Sequence, residues 1–386
     1  MTAPAAPYLL TPGPLTTAAS TKAAMQRDWG SWDADFRAMT AQLRAALLQI
    51  AGDVHGEYDC VPLQGSGSYC VEAMLGSFVP RDGHALVLAN GAYGKRIATT
   101  LRYLGRRYTV HDTGDYLPPL AGDVELLLIA NPDITHVVVV HCETSSGILN
   151  PIEEIAAVTA RQGRRLLIDS MSAFGALPLD VRTLPCDAFV SSANKCIEGV
   201  PGFGFVIAKK VILNNAVGES HSLALDVHDQ WDVMNRTGQW RFTPPTHAVA
   251  AFIEALRLHV LEGGQPGRLA RYTRNRDVLV EGMCGLGFEP LLTEAWRSPI
   301  IVTFFSPADP AFDFTRFYEL MKARGFIIYP GKLTSVESFR IGCIGALDET
   351  VMRRVVVACG EALRVLGVAS AAPAPVDPVT REALAA

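Results

Sequence analysis

Two short apolar runs that end on opposite charges constrain this chain more than any other feature. Residues 164–169 contain three aliphatic residues and end on Asp169, and residues 187–195 have the same form and end on Lys195, which lies 26 positions after Asp169. A crossover between parallel strands needs a dozen residues or more, so both side chains can reach one edge of a parallel sheet. Ligands of open α/β sheets bind at that edge, beyond the carboxyl ends of the strands.

An aspartate and a lysine at one sheet edge suit pyridoxal 5'-phosphate (PLP). The lysine amine can form a Schiff base with the aldehyde. The aspartate can pair with the pyridinium nitrogen and keep it protonated, so that the ring acts as an electron sink. Either residue alone has an ordinary explanation, because a strand-ending aspartate is often a turn residue and a lone lysine is usually a surface charge. The flanking residues therefore carry the argument.

A glycine-rich turn predicts an anion site. Residues 58–64 read as a strand, which is followed by Gly65-Ser66-Gly67-Ser68 and by a helix expected over about 69–78. Free backbone N–H groups and the helix dipole face a ligand at such a turn, and the serine hydroxyls add donors. A dinucleotide fingerprint is the alternative, but its third glycine falls on Cys70. Binding of a single phosphate group, as in PLP, fits better.

Two further strand ends carry groups that suit a pyridoxal ring. Tyr93 follows a strand at 84–89 and lies between glycines, where it can stack on a flat ring or fill the core. The valines at 137–140 are typical of a fully buried strand, and the hydroxyl groups within 144–146 could bond the phenolic oxygen of the ring. Strands and helices alternate over 58–208, which predicts a mostly parallel sheet covered on both faces.

Arg340 is the most anomalous charge in the C-terminal part of the chain. It lies inside the apolar frame Ser338-Phe339-Arg340-Ile341-Gly342. A buried charge without a partner is costly, so an internal salt bridge is one explanation. A guanidinium fork for a substrate carboxylate or phosphonate is the other. The sequence alone leaves both open.

The length and composition predict two domains. The chain has 386 residues, of which 49% are hydrophobic, enough for two or three units with well-buried cores. Glu262-Gly263-Gly264 reads as a domain boundary. We predict a large domain over 18–258 and a small domain formed by 1–17 and 259–368. The Ala/Pro-rich residues 369–386 are predicted to be a disordered tail.

Charge and cysteine usage restrict the partners and the compartment. The net charge of −5 offers no basic footprint for nucleic acid. The eight cysteines form no C-x-x-C pair, and several lie in apolar runs, so we expect buried, reduced thiols of a cytoplasmic protein. No apolar run is long enough to span a membrane, and the N-terminus lacks the pattern of a secretory signal.

Several longer blocks resemble the fold-type I PLP-dependent enzymes of the alanine–glyoxylate aminotransferase group, which is aminotransferase class V. The resemblance covers about residues 8–367. Its blocks are residues 10–15, 28–33, 61–67, 90–96, 141–144, 193–202, 238–247, 329–334 and 338–342. The blocks at 193–202 and 238–247 are the specific ones. The resemblance implies a large, mostly parallel-sheet α/β domain and a smaller α+β domain.

The resemblance also implies roles for individual residues. Lys195 is expected to form the Schiff base and later to shuttle a proton, and Asp169 to pair with the ring nitrogen. Tyr93 is expected to stack on the ring, and Arg340 to hold the substrate anion. Lys195 and Asp169 are thus the expected catalytic residues, Arg340 is the expected substrate-binding residue, and Tyr93 is expected to bind the cofactor.

Further residues are expected to hold the cofactor on the same grounds. The resemblance implies that Ser66, Gly67 and Ser68 hold the phosphate with Asn194 nearby, and that Thr144 bonds the ring oxygen. It implies that Thr243 reaches the phosphate of the cofactor in a neighbouring subunit. The expected assembly is therefore a homodimer with shared active sites, and no metal is expected.

The implied reaction is a transamination between 2-aminoethylphosphonate and pyruvate. An alanine–glyoxylate or serine–pyruvate aminotransferase would share the cofactor residues and differ only in its donor pocket. A PLP-dependent lyase or desulfurase would need a mobile catalytic cysteine, for which Cys343 is the nearest candidate. A non-catalytic dimeric module is disfavoured because Asp169 and Lys195 are both present.

The phosphonate donor poses a geometric problem for Arg340. A phosphonate lies one carbon further from the reacting carbon than the carboxylate of alanine does. Arg340 must serve both anions in turn, so it needs slack or a second cation. Arg241 and Lys332 are the candidates that the sequence offers, without a means of placing either.

Overall fold

The structure is a computed structural model that describes residues 6–332 and 336–375. Its strands are short and mostly buried. Within the described residues they are β1 (Tyr8–Leu9), β2 (Tyr58–Gly65), β3 (His84–Ala89), β4 (Arg107–Asp112), β5 (His136–Val140), β6 (Cys142–Glu143), β7 (Ile148–Leu149), β8 (Arg165–Asp169), β9 (Ala188–Ser192), β10 (Gly202–Lys209), β11 (Ile301–Phe305), β12 (Phe326–Ile327), β13 (Tyr329–Pro330) and β14 (Ser338–Gly342).

The helices alternate with these strands over the first half of the chain and dominate its C-terminal part. They are α1 (Ala19–Ala23), α2 (Ala34–Ala51), α3 (Gly67–Phe78), α4 (Ala92–Tyr103), α5 (Ala121–Ala130), α6 (Ile152–Arg161), α7 (Lys210–Asn215), α8 (Val227–Thr237), α9 (Thr246–Leu261), α10 (Gly264–Gly285), α11 (Phe314–Ala323) and α12 (Glu349–Leu366). Short 3-10 turns cover Ala24–Gln26 and Glu294–Trp296. Within the described part of the chain, we find no helix long and apolar enough to cross a bilayer.

A seven-stranded sheet forms the centre of the molecule. Its order is β2-β10-β9-β8-β5-β3-β4. The five strands from β9 to β4 are mutually parallel, whereas β10 runs antiparallel to both β9 and β2. This confirms the predicted α/β fold with a mostly parallel sheet. The antiparallel β10 is the returning apolar strand that follows the loop after Lys195.

Both faces of this sheet are buried, as parallel sheets require. In β5, Val137 and Val139 belong to the hydrophobic cluster on one face, and Val138 and Val140 belong to the cluster on the other. Helices α2, α6 and α9 contribute to the first cluster, and α3, α4 and α7 contribute to the second. A strand that is apolar at every position is stable here because helices cover both sides.

A second, smaller sheet organises the C-terminal part. It has the antiparallel order β11-β14-β13 and shares a core with α10, α11 and α12, in which Phe288, Phe304, Phe317 and Phe339 pack together. Strand β1 pairs in parallel with β12, so the N-terminal segment joins this C-terminal unit. The predicted small domain requires such a pairing, although the domain boundaries at 17 and 258 stay a prediction.

The start of the predicted tail needs correction. The backbone N–H of Ala369 donates to Asp309, the N–H of Ala308 donates to the carbonyl of Ala372, and Ala371 is buried in the small core. The packed chain therefore extends past residue 368, where the Ala/Pro-rich composition predicted that it stops. The rest of the prediction, residues 376–386, lies outside the described part of the chain.

Candidate active site

The ends of adjacent central strands bring Asp169 and Lys195 together. Asp169 is the last residue of β8 and lies in register with Val140 of β5 and Val190 of β9. Lys195 follows the end of β9 at Ser192 by three residues. Both side chains line a cavity of about 170 Å³ at this edge of the sheet.

The cavity contains five of the residues that the sequence singled out. Gly67 and Ser68 line it from the start of α3, Tyr93 from the start of α4, and Asp169 and Lys195 from the sheet edge. Its remaining lining is Val71, Glu72, Arg96, Ile97, Thr100, Val140, Cys142, Met171 and Ser172. Groups suited to a phosphate, a flat ring and an aldehyde therefore share one enclosed space.

The turn that was predicted to bind a phosphate is the start of α3, which begins at Gly67 rather than at the predicted Tyr69. Ser66 is extended and caps the helix without a side-chain hydrogen bond to it. Arg96 Nη1 donates to Ser68 Oγ at 3.2 Å, so a guanidinium lies beside the helix N-terminus. Backbone N–H groups, hydroxyls and a cation favour an anion at this position. Sequence reasoning missed Arg96, although it lies three residues after Tyr93.

Asp169 is held in an environment that disfavours its charged form. Its side chain is buried, and its Oδ1 accepts a hydrogen bond from the backbone N–H of Met171 at 3.0 Å. Burial raises the pKa of the Asp169 carboxyl to about 6; the bond from Met171 lowers it and the negative charge of Glu143 raises it further. A protonated ring nitrogen at this place would offset the cost of burying the carboxylate, so this donor set fits a pyridinium.

Lys195 is enclosed from the opposite side by the N-terminal segment. Its Nζ donates to the carbonyl of Pro12 at 2.6 Å. Gly13 has φ +123°, and a Cβ there would lie 2.8 Å from Nζ, so a side chain at this position would collide with the lysine. Burial lowers the pKa of the Lys195 amine to about 8, with opposing contributions from Cys196 and Asp169. A useful fraction of neutral amine is therefore available near neutral pH.

Glu143 holds the backbone at Tyr93 in place, a role that sequence reasoning missed. This buried carboxylate accepts the backbone N–H groups of Tyr93 at 2.9 Å and Gly94 at 3.2 Å, and both the N–H and the hydroxyl of Ser145. Burial raises the pKa of Glu143, and these hydrogen bonds oppose the rise. A signal existed, because Glu143 follows a buried valine strand much as Asp169 ends an apolar run.

Arg340 connects the small sheet to the central one. Its Nε donates to the carbonyl of Pro330 at 3.0 Å, and its Nη1 donates to the carbonyl of Thr144 at 2.8 Å. No carboxylate within residues 6–332 and 336–375 forms an ion pair with it, so the internal salt bridge weighed for this residue is not found. Burial lowers the pKa of the guanidinium. The remaining N–H groups of Arg340 have no hydrogen-bond acceptor among the described residues.

Four of the expected cofactor residues do not line the cavity, and Ser66, the residue before α3, is one of them. Thr144 is buried and offers its carbonyl to Arg340. Asn194 precedes Lys195, and its Oδ1 accepts a hydrogen bond from Ser192 Oγ at 3.1 Å. Thr243 is exposed, and its carbonyl accepts a hydrogen bond from Gln64 Nε2 at 2.7 Å, near the end of β2. The contacts of these four residues with a cofactor stay predictions.

The remaining candidate residues, Lys332, Arg241 and Cys343, have different surroundings. Lys332 Nζ lies 5.0 Å from the centre of the Tyr93 ring, and the guanidinium carbon of Arg96 lies 4.9 Å from it. Arg241 instead pairs with Asp229 at 2.8 Å, so it is not placed as a second cation. Cys343 is buried, and burial raises the pKa of its thiol to about 12, which argues against a desulfurase role. Within the described residues no cluster suited to a metal ion is present.

Comparisons with known proteins identify relatives of this chain among the class-V aminotransferases. The sequence profile of the aminotransferase class-V family matches residues 121–295. The chain is 78% identical over 367 residues to 2-aminoethylphosphonate–pyruvate transaminase 1 of Paraburkholderia xenovorans (strain LB400), covering 95% of this chain and 94% of that protein. It is 67% identical over 380 residues to 2-aminoethylphosphonate–pyruvate transaminase of Rhizobium meliloti (strain 1021), covering 98% and 99%.

Solved structures with the same fold are more distant in sequence. Pyridoxamine–pyruvate aminotransferase from Mesorhizobium loti superposes with a TM-score of 0.86 at 22% identity, covering 94% of this chain and 93% of that one. Alanine–glyoxylate aminotransferase from Nostoc sp. superposes with a TM-score of 0.85 at 20% identity, covering 94% and 97%. These similarities confirm the predicted fold class.

Proposed function

The chain belongs to the 2-aminoethylphosphonate–pyruvate transaminase family of the class-V aminotransferases, and we propose that it transfers the amino group of 2-aminoethylphosphonate to pyruvate. The products are phosphonoacetaldehyde and L-alanine. The observation that carries the proposal is the meeting of Asp169 and Lys195 on one enclosed cavity. Relatives that share more than half of its residues carry the name of this reaction.

We propose PLP as the cofactor. When bound, its protonated ring supplies an electron sink for the carbon that loses its proton. Asp169 would hold the ring nitrogen, since its buried carboxylate can accept a further hydrogen bond from a cationic donor. Ser66, Gly67 and Ser68 at the start of α3 would hold the phosphate, and Tyr93 would support the ring face. Thr144 and Asn194 are proposed to complete the site.

Lys195 is proposed to carry the proton transfer. Its Nζ would hold the aldehyde of the cofactor between turnovers, and it would be a free amine once the substrate amine is bound there. Because burial makes the amine less basic, the free Nζ can take the proton from the amino-bearing carbon of the donor. In the second half-reaction the same Nζ returns a proton to the carbon skeleton of the acceptor. The carbonyl of Pro12 orients this amine between the two tasks.

Arg340 is proposed to orient both substrates through their anionic groups. Two of its five N–H donors are used by the carbonyls of Pro330 and Thr144. These two bonds fix the plane of the guanidinium, and three donors remain for a phosphonate or a carboxylate. A fixed fork holds the amino-bearing carbon near Lys195 in each half-reaction.

We propose a homodimer with shared active sites, located in the cytoplasm. Thr243 is exposed and follows Phe242, an aromatic residue that is 41% exposed, so this loop offers an apolar and hydroxyl-bearing surface to a second copy. All eight cysteines are free, which suits a reducing compartment.

A half-reaction on the PLP-loaded enzyme tests the function. 2-Aminoethylphosphonate, serine and alanine are added separately, each without an acceptor, and the visible absorption of the lysine-linked cofactor is followed. Rapid loss of the band is expected with 2-aminoethylphosphonate and with alanine, the donor of the reverse reaction. Loss with serine instead of 2-aminoethylphosphonate would contradict the donor, and absence of the band would contradict the cofactor.

A further inference from the structure

Three cations lie around the ring of Tyr93, which lines the cavity, and the buried carboxylate of Glu143 acts electrostatically on two of them, Lys332 and Arg340. Arg96 and Lys332 both lie over the ring of Tyr93. Arg340 and Arg96 both act electrostatically on Lys332 and, after burial, are the causes that lower its pKa. In the part of the chain that the structure describes, none of the three forms an ion pair. Like charges that converge in this way are stabilised by an anionic ligand.

The three cations differ in the hydrogen bonds that fix their side chains. Arg96 is bound to Ser68 at the helix start, so its charge belongs to the proposed phosphate site of the cofactor. Arg340 is fixed by the carbonyls of Pro330 and Thr144. Lys332 has no hydrogen bond or ion pair within the described residues, and its side chain is half-buried. Judged on residues 6–332 and 336–375, Lys332 is therefore the one of the three cations whose side chain can follow a ligand.

The backbone ties Lys332 closely to Arg340. Pro330 pairs with Phe339, the neighbour of Arg340, and the carbonyl of Pro330 accepts the Arg340 Nε. The N–H of Gly331 then bonds to the carbonyl of Ser338 at 2.8 Å. A Cβ on Gly331 would lie 2.5 Å from that carbonyl oxygen, so only glycine permits this close turn. Lys332 follows this turn directly, and the charge of Arg340 is close enough to lower the pKa of its amine.

We propose that Lys332 is the residue that selects a phosphonate donor over a carboxylate, by binding the phosphonate together with Arg340. The proposal rests on the proposed function and names its specificity residue. Arg340 has three free N–H donors, which suffice for the two oxygens and single charge of a carboxylate. A phosphonate has three oxygens and carries more than one negative charge near neutral pH. Its third oxygen and additional charge require another cation.

The length of the donor favours the same residue. The phosphonate lies one carbon further from the reacting carbon than the carboxylate of alanine does. Arg340 cannot follow it freely, because two carbonyls hold its guanidinium in place. The lysine side chain has a flexible four-carbon stem, so it can reach an anion that lies further out. Lys332 therefore binds the substrate anion in the half-reaction with 2-aminoethylphosphonate, whereas Arg340 binds the substrate anion in both half-reactions.

Paired half-reactions on the PLP-loaded enzyme test the proposal. Lys332→Met is compared with the unchanged enzyme, with Lys332→Arg, and with Lys322→Met, which removes an exposed lysine on α11. We expect the apparent dissociation constant of 2-aminoethylphosphonate to rise roughly tenfold or more, because a charge-assisted contact is lost. The constant for alanine should change less than about threefold. Lys332→Arg should restore most of the donor affinity.

Each result that contradicts these expectations leads to a different conclusion. An equal loss for 2-aminoethylphosphonate and alanine in Lys332→Met would assign Lys332 a general structural or electrostatic role and overturn the proposal. No change for either substrate would also overturn it. Failure of the unchanged enzyme to react with 2-aminoethylphosphonate would instead overturn the proposed function. The visible absorption of the cofactor in each variant shows that the site is assembled before these constants are compared.

Unreactive anions supply a second measurement. Methylphosphonate and acetate are used as inhibitors of the alanine half-reaction in the unchanged enzyme and in Lys332→Met. We expect inhibition by methylphosphonate to weaken roughly tenfold in the variant, while that by acetate stays within about threefold. Equal weakening for both anions would contradict selection by Lys332, and Arg340→Ala provides the comparison in which both should weaken.

Discussion

Asp169 and Lys195 are both buried, and burial disfavours the charged form of each side chain. Burial raises the pKa of Asp169 to about 6 and lowers that of Lys195 to about 8. Without a cofactor, a chain near pH 7 therefore keeps a buried carboxylate and a buried ammonium at a cost in stability. The same environment favours a bound group that offers a cation to Asp169 and an aldehyde to Lys195. The instability of the empty site is thus one source of cofactor affinity.

Replacing Asp169 with asparagine should separate stability from activity. The raised pKa of Asp169 means that its stabilising contribution is complete below its unfolded value of 3.8 and is lost as the pH rises through about 6. In the cofactor-free protein, Asp169→Asn should therefore increase the free energy of unfolding at pH 7 by roughly 1–3 kcal/mol. Denaturant unfolding at pH 5 and pH 7 measures this. Transamination should fall by several orders of magnitude, because the ring nitrogen loses its partner.

The pH dependence of the donor half-reaction should follow the Lys195 amine. The proposed base must be neutral to take a proton, so the single-turnover rate is expected to rise with pH and to level off above about 8. Lys195→Ala should abolish the rate, and an added small amine should restore a pH-dependent part of it. A rate that falls between pH 6 and pH 8 in the unchanged enzyme would contradict this assignment.

At the scale of the elements, the start of α4 depends on a carboxylate from another strand. Glu143 of β6 accepts the N–H groups of Tyr93 and Gly94 in the first turn of that helix. Negative charge is favourable at a helix N-terminus, where free N–H groups and the dipole meet. Strand β6 therefore positions the backbone of Tyr93, and the Tyr93 side chain takes no part in this contact.

Truncating Glu143 should disturb the ring position as well as the fold. Glu143→Ala leaves three backbone N–H groups, those of Tyr93, Gly94 and Ser145, and the Ser145 hydroxyl without their acceptor, at a cost of roughly 2–4 kcal/mol. Glu143→Gln keeps an acceptor oxygen and should cost less. Thermal unfolding measures the difference, and near-ultraviolet circular dichroism of the bound cofactor reports the stacking on Tyr93. Equal behaviour of the two variants would contradict the hydrogen-bonded role of Glu143.

Local patterns allowed most of these elements to be predicted. The strand ends at Asp169 and Lys195 follow from apolar runs of strand length, and the helix after Gly65 follows from its glycine-rich turn. The helix begins at Gly67 because Ser66 is the last extended residue, a backbone detail that composition does not reveal. Arg96 and Glu143 were missed because their partners, Ser68 and Tyr93, are remote in sequence and are selected by tertiary packing.

At the scale of the whole molecule, an ionic network ties the lysine loop to the small sheet. Glu198 lies three residues after Lys195 and has φ +64°, which is unusual for a residue with a side chain. Its Oε1 accepts hydrogen bonds from Arg271 Nη2 at 2.7 Å and from the Tyr272 hydroxyl at 2.6 Å. Arg271 also donates to the carbonyls of Gly345 and Leu347, beyond β14. The loops that carry Lys195 and follow Arg340 thus share one set of partners.

Removing the charge of Glu198 should weaken the whole assembly of the site. Arg268 is buried and also faces Glu198, at 3.3 Å, so Glu198→Ala leaves buried cations with less compensation. A loss of roughly 3–5 kcal/mol is expected, as for other buried pairs deprived of one partner. Chemical denaturation measures it. Glu254→Ala, which removes a partner of the exposed Arg257, should change stability by less than about 1 kcal/mol.

The N-terminal segment that covers Lys195 has a consequence for the order in which a newly made chain becomes active. Its strand β1 pairs with Phe326–Ile327, and the carbonyl of Leu10 accepts the N–H of Gly342. A ribosome adds the 318 residues from position 8 to position 326 in roughly 15 to 60 s. During that time the segment has no partner, and Pro12 has no support above the lysine. Residues 8–10 are therefore made long before their partners, and they can cover Lys195 in this way only after residue 342 has been synthesised.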